Sequence, residues 1–287
     1  MPTFATPDPI DLAINIQVGR IDVITSDRTD TVVTVTPTNP DKTIDRRGVD
    51  ETRVEFDGQR LTIVGPKPKI SWIGSGPYDS IDVKVELPTA SRLTAEIALG
   101  PVKTTGDLGA TRIKSAMGAV DVDATDDLWL RAAYGDASVA TADGSADITA
   151  SYGQIRVDTI TGDALLKASY GGIRIGEARG DLEAKLSYGD LDVASALGDV
   201  TVKTAFGGID LGEVSRGSID VQTGFGQIYV GVKDGVPAWL DLSSKSGRVH
   251  NDLGQDAAPT PTEETVSVRA RTQGGDITIR PAKEVVR

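Results

Sequence analysis

Three stretches of the sequence share one pattern: Tyr152-Gly153-Gln154-Ile155-Arg156-Val157, Tyr170-Gly171-Gly172-Ile173-Arg174-Ile175 and Tyr188-Gly189-Asp190-Leu191-Asp192-Val193. Each has an aromatic residue, a glycine, and then apolar residues at every second position. Weaker copies bring the pattern glycines to positions 100, 118, 135, 153, 171, 189, 207 and 226, so neighbouring copies lie 17 to 19 residues apart. A nearly fixed period with strand-type alternation predicts stacked coils of β-structure.

Each period divides at a second glycine-led phrase, such as Gly180-Asp181-Leu182, eight residues before the aromatic position. One coil, or rung, therefore consists of two short strands joined by corners. Alternation along the strand places Leu182, Ala184, Leu186 and Tyr188 on the same face. We expect this face to point inward, so that two walls enclose a narrow apolar core.

The aromatic positions are then predicted to form an inward or corner ladder that fixes the register of the rungs. The alternative is a strip that stacks against sugars or bases. The ladder comprises Tyr134, Tyr152, Tyr170, Tyr188, Phe206 and Phe225.

The predicted fold is an all-β, parallel β-solenoid of two-strand rungs with about 18 residues each. We divide it into an irregular β-rich part at 1–97, regular repeats at 98–232, and C-terminal rungs with a Pro/Thr insertion and a cap at 233–287. A hairpin is predicted around Asp57-Gly58, whereas residues 37–50 are interpreted as a surface loop. Val266-Ser267-Val268 and Gly275-Asp276-Ile277-Thr278-Ile279 are interpreted as closing strands. No segment of the sequence predicts a helix.

The chain of 287 residues has 30 Lys and Arg against 42 Asp and Glu, a net charge of −12. This balance disfavours nucleic acid and anionic membranes as partners. The absence of cysteine excludes a disulfide framework and a cysteine metal site. The first residues have no basic and apolar signal pattern, and no apolar run is long enough for a membrane span. We therefore expect no direct membrane insertion and, by default, a cytoplasmic location.

Charged residues recur on the outward positions. One predicted ladder is basic, with acidic residues interleaved: Lys114, Arg131, Lys167, Lys185 and Lys203. It is interpreted as a solvated face, with an anion-binding strip as the alternative. A second outward line contains Arg156 and Arg174, followed by Asp192 and Asp210, with Asp190 nearby. As an alternative to a solvated surface, three grouped carboxylates could act as general acid and base on a polysaccharide, and the two arginines could bind acidic sugars.

The sequence gives little support for a calcium site, a phosphate site or a catalytic nucleophile. The corner aspartates, such as Asp181, are expected to bond the backbone amides of their own corner rather than calcium, since the turn is too short for a calcium site. His250 is the single histidine, and the sequence contains no phosphate-binding or nucleophile motif. No cofactor and no metal are therefore predicted. Trp72 is a candidate binding residue in a glycine-rich loop.

The strand Ile81-Asp82-Val83-Lys84-Val85-Glu86-Leu87-Pro88, followed by Gly-x-apolar-x-apolar repeats from Gly100 to Gly226, resembles a bacterial family of adhesin-like β-strand-repeat proteins of unknown function, also called toastrack domains. The resemblance covers residues 10–280. It implies a non-catalytic repeat scaffold linked to the cell envelope, surface attachment or envelope-stress signalling, and it carries no catalytic residues. Surface association is therefore a second expectation for the location.

These observations predict a protein that is not an enzyme but a binding or scaffold module for a protein or glycan partner. Two alternatives stay open. One is a polysaccharide-active enzyme that uses Asp190, Asp192 and Asp210. The other is a cytoplasmic partner of an envelope-stress system, which would act through Trp72 or through Arg156 and Arg174.

Overall fold

The computed structural model describes residues 2–66, 70–71, 74–75, 79–254 and 265–282. Its elements belong to two units, Met1–Thr141 and Ala142–Arg287. In each unit most strands pair in parallel with the strand one rung away. The predicted all-β class with parallel solenoid rungs is confirmed.

Unit 1 contains one helix and fifteen strands among its described residues. They are β1 (Thr3–Ala5), β2 (Asp11–Ser26), β3 (Asp30–Pro37), α1 (Thr43–Glu51), β4 (Arg53–Phe56), β5 (Arg60–Val64), β6 (Ile70–Ser71), β7 (Gly74–Ser75), β8 (Ser80–Pro88), β9 (Arg92–Leu99), β10 (Val102–Thr105), β11 (Asp107–Leu108), β12 (Thr111–Met117), β13 (Val120–Thr125), β14 (Leu128–Tyr134) and β15 (Ala137–Ala142), the last of which ends on the first residue of unit 2.

The long strand β2 belongs to both walls of unit 1 because it turns at Gly19, whose φ is +136°. Its first half lies between β5 and β9, and its second half lies between β8 and β10, all in parallel. The wall then continues from β9 to β12 and β14. Residues 11–26 are therefore inserted between two rungs that follow them in the sequence.

Antiparallel strands cover the outer rung of unit 1. β3 pairs with β8, β1 pairs with β3, and β4 forms with β5 the hairpin predicted around Asp57-Gly58. Such additions stop a sheet edge from recruiting further strands.

The prediction of no helix is wrong for residues 43–51, which form α1 instead of the expected loop. Tertiary contacts hold this short helix. The buried Asp45 accepts the backbone N–H groups of Asn39 and Ser80, each at 3.2 Å. Arg47 on the helix donates to Asp79 at 2.6 Å.

Unit 2 consists of strands alone within its described part. They are β16 (Ala146–Tyr152), β17 (Ile155–Ile160), β18 (Ala164–Tyr170), β19 (Ile173–Ala178), β20 (Leu182–Tyr188), β21 (Leu191–Ala196), β22 (Val200–Phe206), β23 (Ile209–Val214), β24 (Gly217–Phe225), β25 (Ile228–Val232), β26 (Ala238–Ser244), β27 (Val249–Asn251), β28 (Val266–Gly274) and β29 (Ile277–Pro281).

Two parallel walls form unit 2. One has the order β16-β18-β20-β22-β24-β28-β26, and the other has the order β17-β19-β21-β23-β25-β29-β27. Residues 266–281, interpreted as closing strands, therefore lie between two rungs that precede them in the sequence. That interpretation is wrong in the order of the rungs, because spatial neighbours need not follow the order of the chain.

Alternating side chains of each wall are buried as predicted, for example Leu166 and Ala184 on one wall and Ile175 and Val193 on the other. The aromatic residues depart from this rule. The strand turns after Leu186, so that Tyr188 points outward at the corner and is 48% exposed. The expectation that the aromatic positions face inward is therefore wrong.

The corner aspartates also bond differently from the prediction. Asp163 accepts the backbone N–H of Asp181, and Asp181 accepts that of Asp199, each at 3.0 Å. Each acceptor thus serves the next rung and not its own corner, so these aspartates tie neighbouring rungs together.

Candidate functional site

A groove of about 660 Å³ runs along the outer face of the wall formed by β17, β19, β21, β23 and β25. All of it lies within unit 2. It is lined by Gln154, Ile155, Gly172, Ile173, Arg174, Gly189, Asp190, Leu191, Asp192, Gly208, Ile209, Asp210, Gln227 and Tyr229. Most of the predicted site residues are therefore brought together here.

The strand register creates this arrangement. Because parallel rungs pair residues one period apart, the outward positions form a column in the order Arg156, Arg174, Asp192, Asp210 and Tyr229. Rungs of a parallel sheet are about 4.8 Å apart. Each charged group in the column is thus within reach of the groups on the neighbouring rungs.

A second column lies at the corner, directly after the positive-φ glycines. Its residues alternate between a polar side chain and no side chain: Gln154, Gly172, Asp190, Gly208 and Gln227. The two glycines leave depressions between the polar groups. Gln154, Gln227 and this alternation are not among the residues predicted from the sequence, although the position after each corner glycine is visible in the repeat.

The three carboxylates of the candidate catalytic set each have a partner. Asp190 accepts the backbone N–H of Gly208 at 2.7 Å through Oδ1. Asp192 lies 3.6 Å from Nε of Arg174. Asp210 lies 3.8 Å from Nη2 of Arg280, a residue that the sequence analysis did not single out.

The candidate binding arginines are also engaged. Arg156 lies 3.2 Å from Asp158 on its own strand, and Arg174 faces Asp192 on the next rung. Arg280 additionally places its guanidinium 5.5 Å from the ring centroid of Tyr229. The groove thus contains an internally paired set of charges rather than a row of free cations.

Trp72, the third candidate binding residue, lies outside the described residues. Among the residues that the structure does describe, no group of three His, Cys, Asp or Glu side chains is arranged to hold a metal ion. The described part also contains no helix long and apolar enough to cross a membrane.

The aromatic positions form a continuous stack within unit 2. Successive ring centroids from Tyr152 to Phe225 are 4.9, 5.2, 5.1 and 5.4 Å apart, and the ring planes are within 12° of parallel. The rings are 44–55% exposed. The rings stack face to face along the outside of the corner, and their edges meet the solvent.

Unit 2 combines corner glycines, an outward aromatic ladder and alternating buried positions, and unit 1 repeats the corner glycines and the alternation. A sequence model of the Toastrack DUF4097 family matches residues 11–280, which is nearly the whole chain. The chain belongs to the toastrack family. The resemblance drawn from the repeats is therefore confirmed.

A comparison with solved structures matched chains from several bacteria. A "putative adhesin" from Bacteroides fragilis is 14% identical, with 97% of the toastrack chain and 95% of that chain covered and a TM-score of 0.36. A "putative adhesin" from Parabacteroides distasonis is 16% identical over 97% and 95%, with a TM-score of 0.29. A "putative lipid binding protein" from the same species is 13% identical over 98% and 96%, with a TM-score of 0.34.

A comparison with curated proteins found no match. The TM-scores of the solved structures lie below 0.5, so the family assignment rests on the sequence model and on the repeat itself. The toastrack groove has to be interpreted from its own side chains.

Proposed function

We propose that this toastrack protein is a non-catalytic binding scaffold and that the groove of unit 2 is its ligand site. The observation that carries this proposal is the groove itself, in which an extended line of polar side chains surrounds about 660 Å³ on one rigid wall. Concave surfaces with a few convergent polar groups are the usual places for ligands.

The partners of the carboxylates support a non-catalytic role. Carboxylates that face N–H donors or guanidinium groups are oriented by those partners and accept hydrogen bonds from them. Asp190, Asp192 and Asp210 each have such a donor or cation beside them. The three therefore act as fixed hydrogen-bond acceptors.

The groove chemistry fits a neutral glycan. Its lining contains carboxylates that accept hydrogen bonds, the side-chain amides of Gln154 and Gln227, which both donate and accept them, and the ring of Tyr229. Sugar hydroxyl groups both donate and accept hydrogen bonds, so they match such a mixture. Acidic sugars match it less well, because Arg156 and Arg174 already face carboxylates. Attachment to the envelope and a role beside an envelope-stress system stay predictions.

The test uses isothermal titration calorimetry to measure how tightly the full chain binds neutral cello-, xylo- and chito-oligosaccharides. The double variant Asp192→Ala/Asp210→Ala is expected to bind the best of these at least about tenfold more weakly, a loss of about 1.4 kcal/mol. The matched control is Asp234→Ala/Asp252→Ala, which removes the same charge at exposed positions of unit 2 outside the groove. It is expected to bind like the parent protein.

Two results would overturn the proposal. Equal binding by the groove variant and the parent would remove the groove as the ligand site. Release of shorter sugars by the parent, with loss of that turnover in Asp192→Ala/Asp210→Ala, would make the carboxylates catalytic and the protein an enzyme.

A further inference from the structure

Three lysines stand side by side on the other wall of unit 2. Lys167 on β18, Lys185 on β20 and Lys203 on β22 are in direct register, one rung apart. We call this row the lysine strip. Lys185 and Lys203 are exposed, and Lys167 is half-buried.

From this row we infer a second binding site, in which the lysine strip binds an acidic polysaccharide whose carboxylates recur along an extended chain. The site is independent of the groove, because it lies on the wall made by β18, β20 and β22 and uses different side chains. The three lysines start from backbone positions about 4.8 Å apart on successive rungs, so they present a linear array of positive charge.

On the three strands of the strip the lysines outnumber the acids, although the whole protein is acidic. The outward residues of the three strands include three lysines and one acid, Glu183. Glu183 lies 2.5 Å from Lys185. The pKa of Glu183 is held below its ordinary value by the hydrogen bond from Lys185 and by attraction to Lys185, Lys167 and Lys203. Glu183 thus interacts favourably with all three ammonium groups, and Asp147 and Asp220 lie in the column of Glu183 on the rungs before and after the strip.

The lysine strip carries a cost in the unliganded protein. Like charges directly opposite each other in a sheet repel, and each such pair is destabilising. The same column holds Thr149 on the rung before the strip and Gln222 on the rung after it, so neutral residues fit this position of the fold. An anionic ligand across the strip would relieve the repulsion.

The neighbouring side chains select a sugar polymer among polyanions. Ser169 and Ser187 follow the lysines by two residues and lie on the same outward face, and Tyr170 and Tyr188 lie next to them at the corner. These residues line the strip with hydroxyl groups that donate to and accept from sugar hydroxyls. An extended uronic acid polymer carries one carboxylate per sugar, so its negative charge recurs along the chain as the lysines recur along the strip.

The experiment uses the full chain and oligogalacturonates of increasing length at about 0.1 M salt, where charges beyond about 10 Å are screened. Affinity is expected to rise up to the trimer, which covers the three lysines, and then to level off. The variant Lys167→Thr/Lys185→Thr/Lys203→Thr is expected to bind the trimer at least about tenfold more weakly, since exposed ion pairs contribute modestly and the strip supplies three of them.

The matched control is Lys42→Thr/Lys103→Thr/Lys233→Thr, which removes three exposed lysines elsewhere and changes the net charge equally. It is expected to retain trimer binding. Equal losses of trimer affinity in both triple variants would show that net charge alone causes the effect, and would overturn the site. Thermal unfolding controls for folding, and the strip variant is expected to melt near the parent temperature, because the removed repulsion among the lysines and the lost attraction to Glu183 oppose each other.

Two further arms separate this site from the alternatives. Tripolyphosphate that binds the strip as tightly as trigalacturonate, with the same dependence on the lysines, would overturn the assignment to polysaccharides. The groove variant Asp192→Ala/Asp210→Ala is expected to bind trigalacturonate like the parent. If it lost that binding while the strip variant kept it, acidic sugars would belong to the groove, and the lysine strip would be excluded as their site.

Discussion

The carboxylate of Asp163 accepts the backbone N–H of Asp181, which lies one full rung further along the chain, at 3.0 Å. The same bond recurs from Asp181 to Asp199 at 3.0 Å and from Asp199 to Ser218 at 2.8 Å. A column of side chains therefore continues the backbone ladder through the corners, where the strands themselves end.

The first prediction concerns this column. Asp181→Ala should lower the free energy of unfolding by about 0.5–1.5 kcal/mol, because the N–H of Asp199 loses its acceptor. Asp181→Asn keeps a side-chain oxygen and should lose less. Urea unfolding measures both, with an unchanged slope as the sign that only stability has altered. Equal midpoints for the alanine variant and the parent would show that the bond adds nothing.

The second prediction concerns the corner at Gly171. Its φ is +145°, and a Cβ there would lie 2.0 Å from the carbonyl oxygen of Gly153 on the previous rung. Gly171→Val should therefore cost several kcal/mol, at least about 3, in unfolding free energy, through backbone strain and a clash with main-chain atoms. Gly254→Ala is the control, because a Cβ there meets open space. An unchanged free energy of unfolding in Gly171→Val would show that the corner does not lie at Gly171.

The third prediction concerns the aromatic stack. Tyr188 lies between Tyr170 and Phe206, with ring centroids 5.2 and 5.1 Å away. Tyr188→Ala removes two stacked pairs and should destabilise unit 2 by about 1–3 kcal/mol. Tyr188→Phe should be nearly neutral, because Phe206 and Phe225 fill the same position on later rungs. Thermal melting measures both variants. Equal melting temperatures for Tyr188→Ala and the parent would show that the stacked rings do not stabilise unit 2.

The fourth prediction concerns pH and unit 1. The pKa of Glu86 is held below its ordinary value by hydrogen bonds from Lys84 and Arg28, at 2.7 and 2.8 Å. Because the folded-state pKa is depressed, the stabilisation is fully present above the unfolded value of 4.5 and is lost as pH falls through the folded value. The parent should therefore exceed Glu86→Gln in stability at pH 7, and the two should converge below pH 4.5. A constant difference down to pH 3 would contradict this assignment.

The sequence predicts the walls well because their causes are local and periodic. Glycine spacing located the corner at Gly171, and alternation identified buried positions such as Leu166 and Val193. The columns of the groove follow from the same period, so the spacing of the repeat is sufficient to predict that Arg174, Asp192 and Asp210 lie together.

The failures arise where local pattern and tertiary structure separate. Alternation along the strand predicts that Tyr188 faces inward. The chain turns between Leu186 and Tyr188, however, and the ring of Tyr188 faces the solvent. Helix α1 has Gly48 in its middle and is held by Asp45 and Arg47 through contacts with distant segments. The nine residues of α1 do not reveal these contacts, because the partners lie elsewhere in the sequence. The partners of the carboxylates, such as Arg280, depend on a strand order that no local pattern contains.

The inserted position of residues 266–281 has a consequence for how the protein is made. Residues 238–251 leave the ribosome first, but β26 pairs with β28 and β27 pairs with β29. Until the later segment emerges, Trp239 and its neighbours belong to a nascent segment without its parallel partner. Long-range pairing of this kind is slow and leaves strands open to wrong partners. Unit 2 is therefore most vulnerable to aggregation between the synthesis of residues 238–251 and that of residues 266–281, and a chaperone that covers residues 238–251 would act in that interval.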